Sequence, residues 1–143
     1  MDLEVLKQSA NKDLPISDHE RIDQESYKNQ AIKQKWLNHK ADFELLLVKA
    51  KTDHQLLYRQ KWEYYGGKAE AKVYAAKPFD IKVMKTDLVM YIQSDEDILK
   101  ISNKIGYYET CVDYCKGVIK SIDNRGWDIK NSIEWKKFEA GMM

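Results

Sequence analysis

Between Ser17 and Tyr65 the chain contains no proline and no glycine, and Gly66-Gly67 follows at once. Ser17-Asp18-His19-Glu20 has the form of a capping box, in which a hydroxyl and a glutamate satisfy the first free amides of a helix. The paired glycines supply the left-handed conformation that ends one. The stretch therefore reads as a single helix about 70 Å long, at about 1.5 Å per residue. A chain of 143 residues cannot bury so long a helix within one compact domain. Part of it is expected to pack on other copies or on a partner.

The side-chain pattern agrees. Ile22, Trp36, Phe43, Ala50, Leu57 and Tyr64 fall seven apart, with Asn29 breaking the series. The companion position of the heptad holds Ile32 and Leu46, but also Glu25, His39, Asp53 and Gln60. One half of the seam is apolar and the other is not, which describes an amphipathic helix in an assembly rather than a two-stranded zipper.

Charge is uneven along the helix. Met1 to Tyr27 carries three basic and seven acidic residues, whereas Lys28 to Lys61 carries eight basic and three acidic. The formal net charge of +1 hides a basic helix behind an acidic start. Lys33, Lys35, Lys40, Lys49 and Lys51 are candidates for a phosphate track, since polyanions are held by several cations that displace counterions. The plainer reading is solvated flanking charge. At the helix end Tyr58, Trp62, Tyr64 and Tyr65 alternate with Arg59 and Lys61. Aromatic faces that stack bases beside cations that take phosphates suit sequence-tolerant single-strand binding. The alternative is that Leu57 and Tyr64 are core and the cations oppose the helix dipole.

The rest of the chain also reads as helical. Asp2 to Asn11 forms a short helix ended by Pro15. Gly66 to Lys85 is an irregular connection, with a short extended segment near Asp80 to Met84. Leu88 to Ile92 is a short apolar element. Ser94 then caps a helix with acids in its first turn, along which Ile98, Ile101, Ile105, Tyr108, Val112, Cys115 and Ile119 recur at steps of three and four. Asn124-Arg125-Gly126 ends it, and Trp127 to Glu139 forms a last helix with Ile129, Ile133 and Phe138 on one side. The expected fold is all-α: a long N-terminal amphipathic helix and a C-terminal helical hairpin or bundle that oligomerises. One domain, 1–143, divides into a DNA-binding part (1–65), a connection (66–85) and an oligomerisation part (86–143). Candidate assembly residues are Ile98, Ile101, Ile105, Tyr108, Val112, Ile119, Trp127, Ile129, Ile133 and Phe138.

Other chemistry finds little support. No segment approaches the roughly 20 apolar residues of a membrane span, and the acidic Asp2-Leu3-Glu4 start is unlike a signal peptide. Cys111 and Cys115 lie on one helical face without nearby histidines and read as structural thiols, neither metal ligands nor a disulfide. There is no phosphate-binding glycine loop, metalloprotease signature or nucleophile elbow. A non-enzyme without metal or cofactor is expected.

Several stretches together resemble the UvsY family of recombination mediators of T-even-type bacteriophages: Lys35-Trp36-Leu37-Asn38, Tyr64-Tyr65 with Gly67, Met84-Lys85-Thr86, Asp97-Ile98-Leu99-Lys100, Asp113 with Cys115 and Gly117, Arg125-Gly126 with Ile129-Lys130, and Phe138-Glu139-Ala140-Gly141. The resemblance covers nearly the whole chain. It implies a homo-oligomeric ring of six or seven copies that binds single-stranded DNA. It further implies help to a phage RecA-like recombinase in displacing the phage single-strand-binding protein, in the cytoplasm of an infected bacterium. In that family a Lys-x-Arg pair before the paired tyrosines contributes to DNA binding. Arg59 and Lys61 occupy those positions with the residue types exchanged, and an arginine fork and a lysine point charge are not interchangeable. Two other classes stand beside this one. The first is a structural coiled-coil or assembly protein without DNA binding. The second is a metal-dependent nuclease using Asp95 to Asp97.

Overall fold

The computed structural model describes residues 1–17 and 21–141. Five helices follow in order: α1 (Leu3–Asp13), α2 (Ile22–Tyr65), α3 (Ala71–Ala76), α4 (Leu88–Gln93) and α5 (Glu96–Glu139). There is no strand among the described residues, so the extended segment expected near Asp80 to Met84 is irregular chain instead. Three residues of the expected capping box, Asp18, His19 and Glu20, lie outside the described residues. Contacts divide the chain into one unit of Met1–Glu44 with Glu109–Met143, and a second of Leu45–Tyr108. These boundaries fall within α2 and α5, not at the 65/66 and 85/86 junctions expected from composition.

In the first unit α1 begins where Asp2 accepts a hydrogen bond from the amide of Val5 at 2.9 Å. A helix this short is marginal alone, and it buries Leu6 and Ala10. The heptad seam of α2 is the buried face here: Ile22, Trp36 and Phe43 are enclosed, as are Cys111, Val112, Cys115, Val118, Ile122 and Ile129 of α5. Trp36 Nε1 donates to Asp13 at 3.0 Å, which ties the end of α1 to α2.

The break in the seam is put to use. Arg125 is buried and donates to the carbonyls of Leu14 at 3.2 Å and Glu25 at 3.1 Å, to Asn29 Oδ1 at 3.0 Å, and to the carboxylate of Glu25. Asn29 also donates to the carbonyl of Ile122 at 3.2 Å. Glu25, a mismatch in the seam by sequence, is thus buried against its own counter-charge, as a buried carboxylate requires. This corrects the expected helix end. Asn124-Arg125-Gly126 does not terminate anything, and the expected C-terminal hairpin is one helix of 44 residues. The glycine serves close approach: a Cβ at Gly126 would lie 3.3 Å from Asn29 Nδ2.

In the second unit Leu88, Ile92 and Ile98 form a core against which Leu57, Tyr58, Tyr65 and Val83 pack. Helix α2 ends here as expected. The amide of Gly67 bonds to the carbonyl of Tyr64 at 3.3 Å and that of Lys68 to Glu63 at 2.8 Å, with Gly67 at φ +74. This is the Schellman arrangement that satisfies the last carbonyls. Gly66 is equally constrained, since a Cβ there would sit 2.8 Å from the carbonyl oxygen of Trp62. Beyond the turn lies α3, where an unstructured connection was expected. The Tyr74 hydroxyl pins it, donating to the carbonyl of Tyr64 at 2.7 Å and accepting from the amide of Ala69 at 3.3 Å. Helix α5 is capped by Asp95 rather than Ser94. Asp95 Oδ1 accepts from the amide of Asp97 at 2.9 Å, while the Ser94 hydroxyl turns back to the carbonyl of Met90 at 2.7 Å.

Candidate nucleic-acid interface

The aromatic and basic residues that end α2 separate into two groups by helical position. Tyr58, Lys61, Tyr64 and Tyr65 face inward, and Arg59 and Trp62, three residues apart on one face, point outward. Tyr64 is only 6% exposed, and its hydroxyl donates to the carbonyl of Lys77 at 3.0 Å. Its ring lies among those of Tyr65, Tyr74 and Phe79, with centroids 5.0 to 5.5 Å away. Tyr58 packs on the Leu88 core. These three candidates for base stacking thus lie in or against the core at the end of the helix, Tyr64 buried and Tyr58 and Tyr65 half-buried.

Lys61 is drawn into that core as well. Its side chain is 13% exposed, with Nζ 2.8 Å from Asp97 Oδ2 and 3.3 Å from Asp95 Oδ2. Burial works against its charge, but the two carboxylates outweigh burial and hold the ammonium above the ordinary lysine pKa. Asp95 also accepts from the Tyr65 hydroxyl at 2.5 Å. Burial pushes the Asp95 pKa up. The bonds from Tyr65, the Asp97 amide and Lys61 prevail, and the carboxyl titrates below its usual range. Tyr65 is shifted upward, by burial first and then by its bond to the Asp95 carboxylate. Asp95 was legible only as an acid near a helix start. Its oxygens are engaged by a cap, a phenol and an ammonium. Among the described residues no group of three or more His, Cys, Asp or Glu side chains is gathered to hold a metal.

The outward pair differs. The Arg59 side chain is 78% exposed and pairs with Glu63, four residues on, at 3.3 Å. Trp62 is 41% exposed, and Lys68 Nζ stands 4.7 Å from its ring centroid. Of the four aromatic candidates, Trp62 is the one with an open face. Lys68 was not among the candidates, because a lysine just beyond a helix-ending glycine pair looks like ordinary turn chemistry.

The five track lysines are not equivalent. Lys33 pairs with Asp123 at 2.9 Å and Lys40 with Glu44 at 2.6 Å. Lys35 meets Asp13 at 2.7 Å and the Ser9 hydroxyl at 2.8 Å. Lys49 and Lys51 are exposed. The candidate assembly residues also divide. Ile98, Val112 and Ile129 are buried, Ile101, Ile105, Tyr108, Ile119 and Ile133 are half-buried, and Trp127 and Phe138 are exposed. Trp135, overlooked in the sequence because it lies off the Ile129–Ile133 stripe, is exposed and stacks on Phe138 with centroids 5.5 Å apart. Cys111 and Cys115 are buried thiols outside any disulfide among the described residues, and burial with the neighbouring thiol pushes Cys115 up to about 11. No helix among the described residues is long and apolar enough to cross a membrane.

Comparison with known proteins gives a consistent result. Residues 9–142 match the family described as recombination, repair and ssDNA binding protein UvsY. The recombination protein UvsY of Enterobacteria phage T4 is 27% identical over 141 residues, covering 99% of both chains. Crystal structures of the phage T4 recombination mediator protein UvsY superpose with a TM-score of 0.86 at 24% identity, covering 98% of each chain. In another lattice the TM-score is 0.84 at 23% identity, covering 94% of this chain and 98% of that one. The all-helical fold is therefore shared, and the chain belongs to the UvsY family of recombination, repair and single-stranded-DNA-binding proteins.

Proposed function

We propose that this protein is a recombination mediator. It binds single-stranded DNA as a homo-oligomeric ring and helps a RecA-like recombinase take the place of a single-strand-binding protein, in the cytoplasm of a phage-infected bacterium. The observation that carries the reading is the outward pair Arg59 and Trp62, in a chain whose family is described by single-stranded-DNA binding. An exposed guanidinium takes phosphate, and an open indole face stacks a base regardless of its identity, each stacked base adding about 1–3 kcal/mol. One such patch is weak. Repeated around a closed assembly, the patches act at high effective concentration and bind tightly without reading sequence. Exposed Trp127, Trp135 and Phe138 support assembly, since apolar patches of this kind mark contact surfaces. Arg59 makes the phosphate contact, and Lys61 holds the start of α5 in place.

The test is fluorescence anisotropy with a labelled oligo-dT across a salt series, comparing wild type with Arg59→Ala/Trp62→Ala, and sedimentation of both. Salt-dependent binding that weakens at least tenfold in the variant, with the assembly intact, is the expected result. A second reading, a structural assembly protein, draws on exposed Leu45, Val48 and Leu56 along α2 and on the carboxylates that accompany Lys33, Lys35 and Lys40. It is the one left standing if an assembled wild type binds no DNA at low salt.

A further inference from the structure

The segment from Gly66 to Lys85 carries five lysines (68, 72, 77, 82 and 85) against two acids, Glu70 and Asp80. Lysines therefore outnumber acids there by three. All five lysines are exposed. Lys72 meets Glu70 at 3.2 Å, while Lys68, Lys77, Lys82 and Lys85 have no carboxylate at ion-pair distance among the described residues. The lysines Lys33, Lys35, Lys40 and Lys61 of α2 each have one or two. A phosphate that approaches those must displace an acid, and one that approaches this segment displaces only water and counterions.

The segment is also held in place rather than trailing. Tyr74 is bonded to the end of α2, the Lys77 carbonyl receives the Tyr64 hydroxyl, and Phe79 lies 5.5 Å from the Tyr64 ring and 6.1 Å from that of Tyr91. Its first cation, Lys68, already stands over the Trp62 ring, so the segment is continuous with the Arg59–Trp62 patch.

We propose that residues 66–85 form a phosphate-gripping arm, in which Lys68, Lys77, Lys82 and Lys85 continue the path of single-stranded DNA beyond Trp62. The proposal rests on the single-strand-binding reading above. The arm is fixed by aromatic anchors while its cations stand exposed at the surface, an arrangement that follows a flexible backbone without selecting a sequence.

Two measurements test it. The first is the salt dependence of oligo-dT binding by Lys68→Gln/Lys77→Gln/Lys82→Gln/Lys85→Gln, with circular dichroism and sedimentation as checks of fold and assembly. Each phosphate contact contributes about 0.7 to the slope of log affinity against log salt for single strands, so the slope is expected to fall by about 3 per occupied protomer. Lys82→Gln/Lys85→Gln, outside every helix, takes its place if the quadruple variant misfolds, with an expected fall of about 1.4. The second is acetylation footprinting of the unaltered protein, with protection of Lys82 and Lys85 by oligo-dT expected. A wild type that binds while the slope is unchanged and both lysines stay reactive overturns the arm alone. A wild type that binds no oligo-dT at any salt overturns the single-strand reading and the arm with it.

Discussion

The Tyr65 hydroxyl and Asp95 Oδ2 are 2.5 Å apart, and the bond joins the last residue of α2 to the residue that caps α5. Asp95 is 5% exposed, so its charge depends on the donors around it. Replacement of Tyr65 by phenylalanine removes one donor and leaves Lys61 and two amides. A hydrogen bond to a charged group contributes about 1.5–3 kcal/mol. Tyr65→Phe is expected to lower stability by that amount in urea unfolding, with no change in m.

Lys61→Met tests the same cluster from the other side. The methionine keeps the packing of the aliphatic stem and deletes the charge that faces Asp95 and Asp97. Loss of one partner of a shielded pair costs more than an exposed pair contributes, so a loss of about 2 kcal/mol is expected. The salt slope of oligo-dT binding should stay that of wild type. A slope that falls as it does for an arm lysine would make Lys61 a phosphate contact.

Two titrations in the first unit contribute to the loss of stability in acid. Burial first, and then Lys35, lowers the His39 pKa, and its Nε2 is buried without a hydrogen-bond partner among the described residues. A base whose folded pKa is depressed contributes stability above its unfolded value, near 6.5, and that contribution is lost as pH falls through the lower folded value. Asp13 follows at lower pH. Burial raises its pKa, but its bonds to Lys35 and Trp36 outweigh this and depress it. Its contribution is present above about 4 and is lost below that, through the folded value. Thermal melts from pH 8 to pH 3 should show both steps, with His39→Gln removing the upper one and Asp13→Asn reducing the lower, to which Asp95 also contributes.

Gly117 and Gly126 both lie inside α5 but answer alanine differently. A Cβ at Gly117 meets nothing within 4 Å, whereas at Gly126 it meets Asn29 at 3.3 Å. Gly117→Ala should raise stability by about 0.5–1 kcal/mol through helix propensity alone. Gly126→Ala should gain less or lose, since Asn29 is fixed by Ile122 and Arg125. Paired thermal melts decide the order.

The seven-residue spacing from Ile22 to Tyr64 was enough to find the buried face of α2, because burial of one helical stripe depends on local periodicity. What escaped was set by partners distant in sequence. Asn124-Arg125-Gly126 has the composition of a turn, yet Glu25 and Asn29, about 100 residues away, hold Arg125 within a helix. Helix α3 has six residues, too short for any period to show, and it depends on the Tyr74 hydroxyl. The aromatic and basic cluster at the end of α2 was legible as a cluster, but composition cannot tell which of its members face outward. Lys61 and Tyr64 look as available as Arg59 and Trp62 until the carboxylates of Asp95 and Asp97 are in place.

The glycine pair that ends α2 has one more consequence. It reverses the chain so tightly that Lys68 returns over Trp62, and the whole Arg59–Trp62–Lys68 constellation is encoded within ten consecutive residues. An inserted or deleted residue between Trp62 and Lys68 would swing the cation off the ring even if every other part of the molecule folded correctly. The geometry of the constellation is thereby set locally, by the turn that carries it.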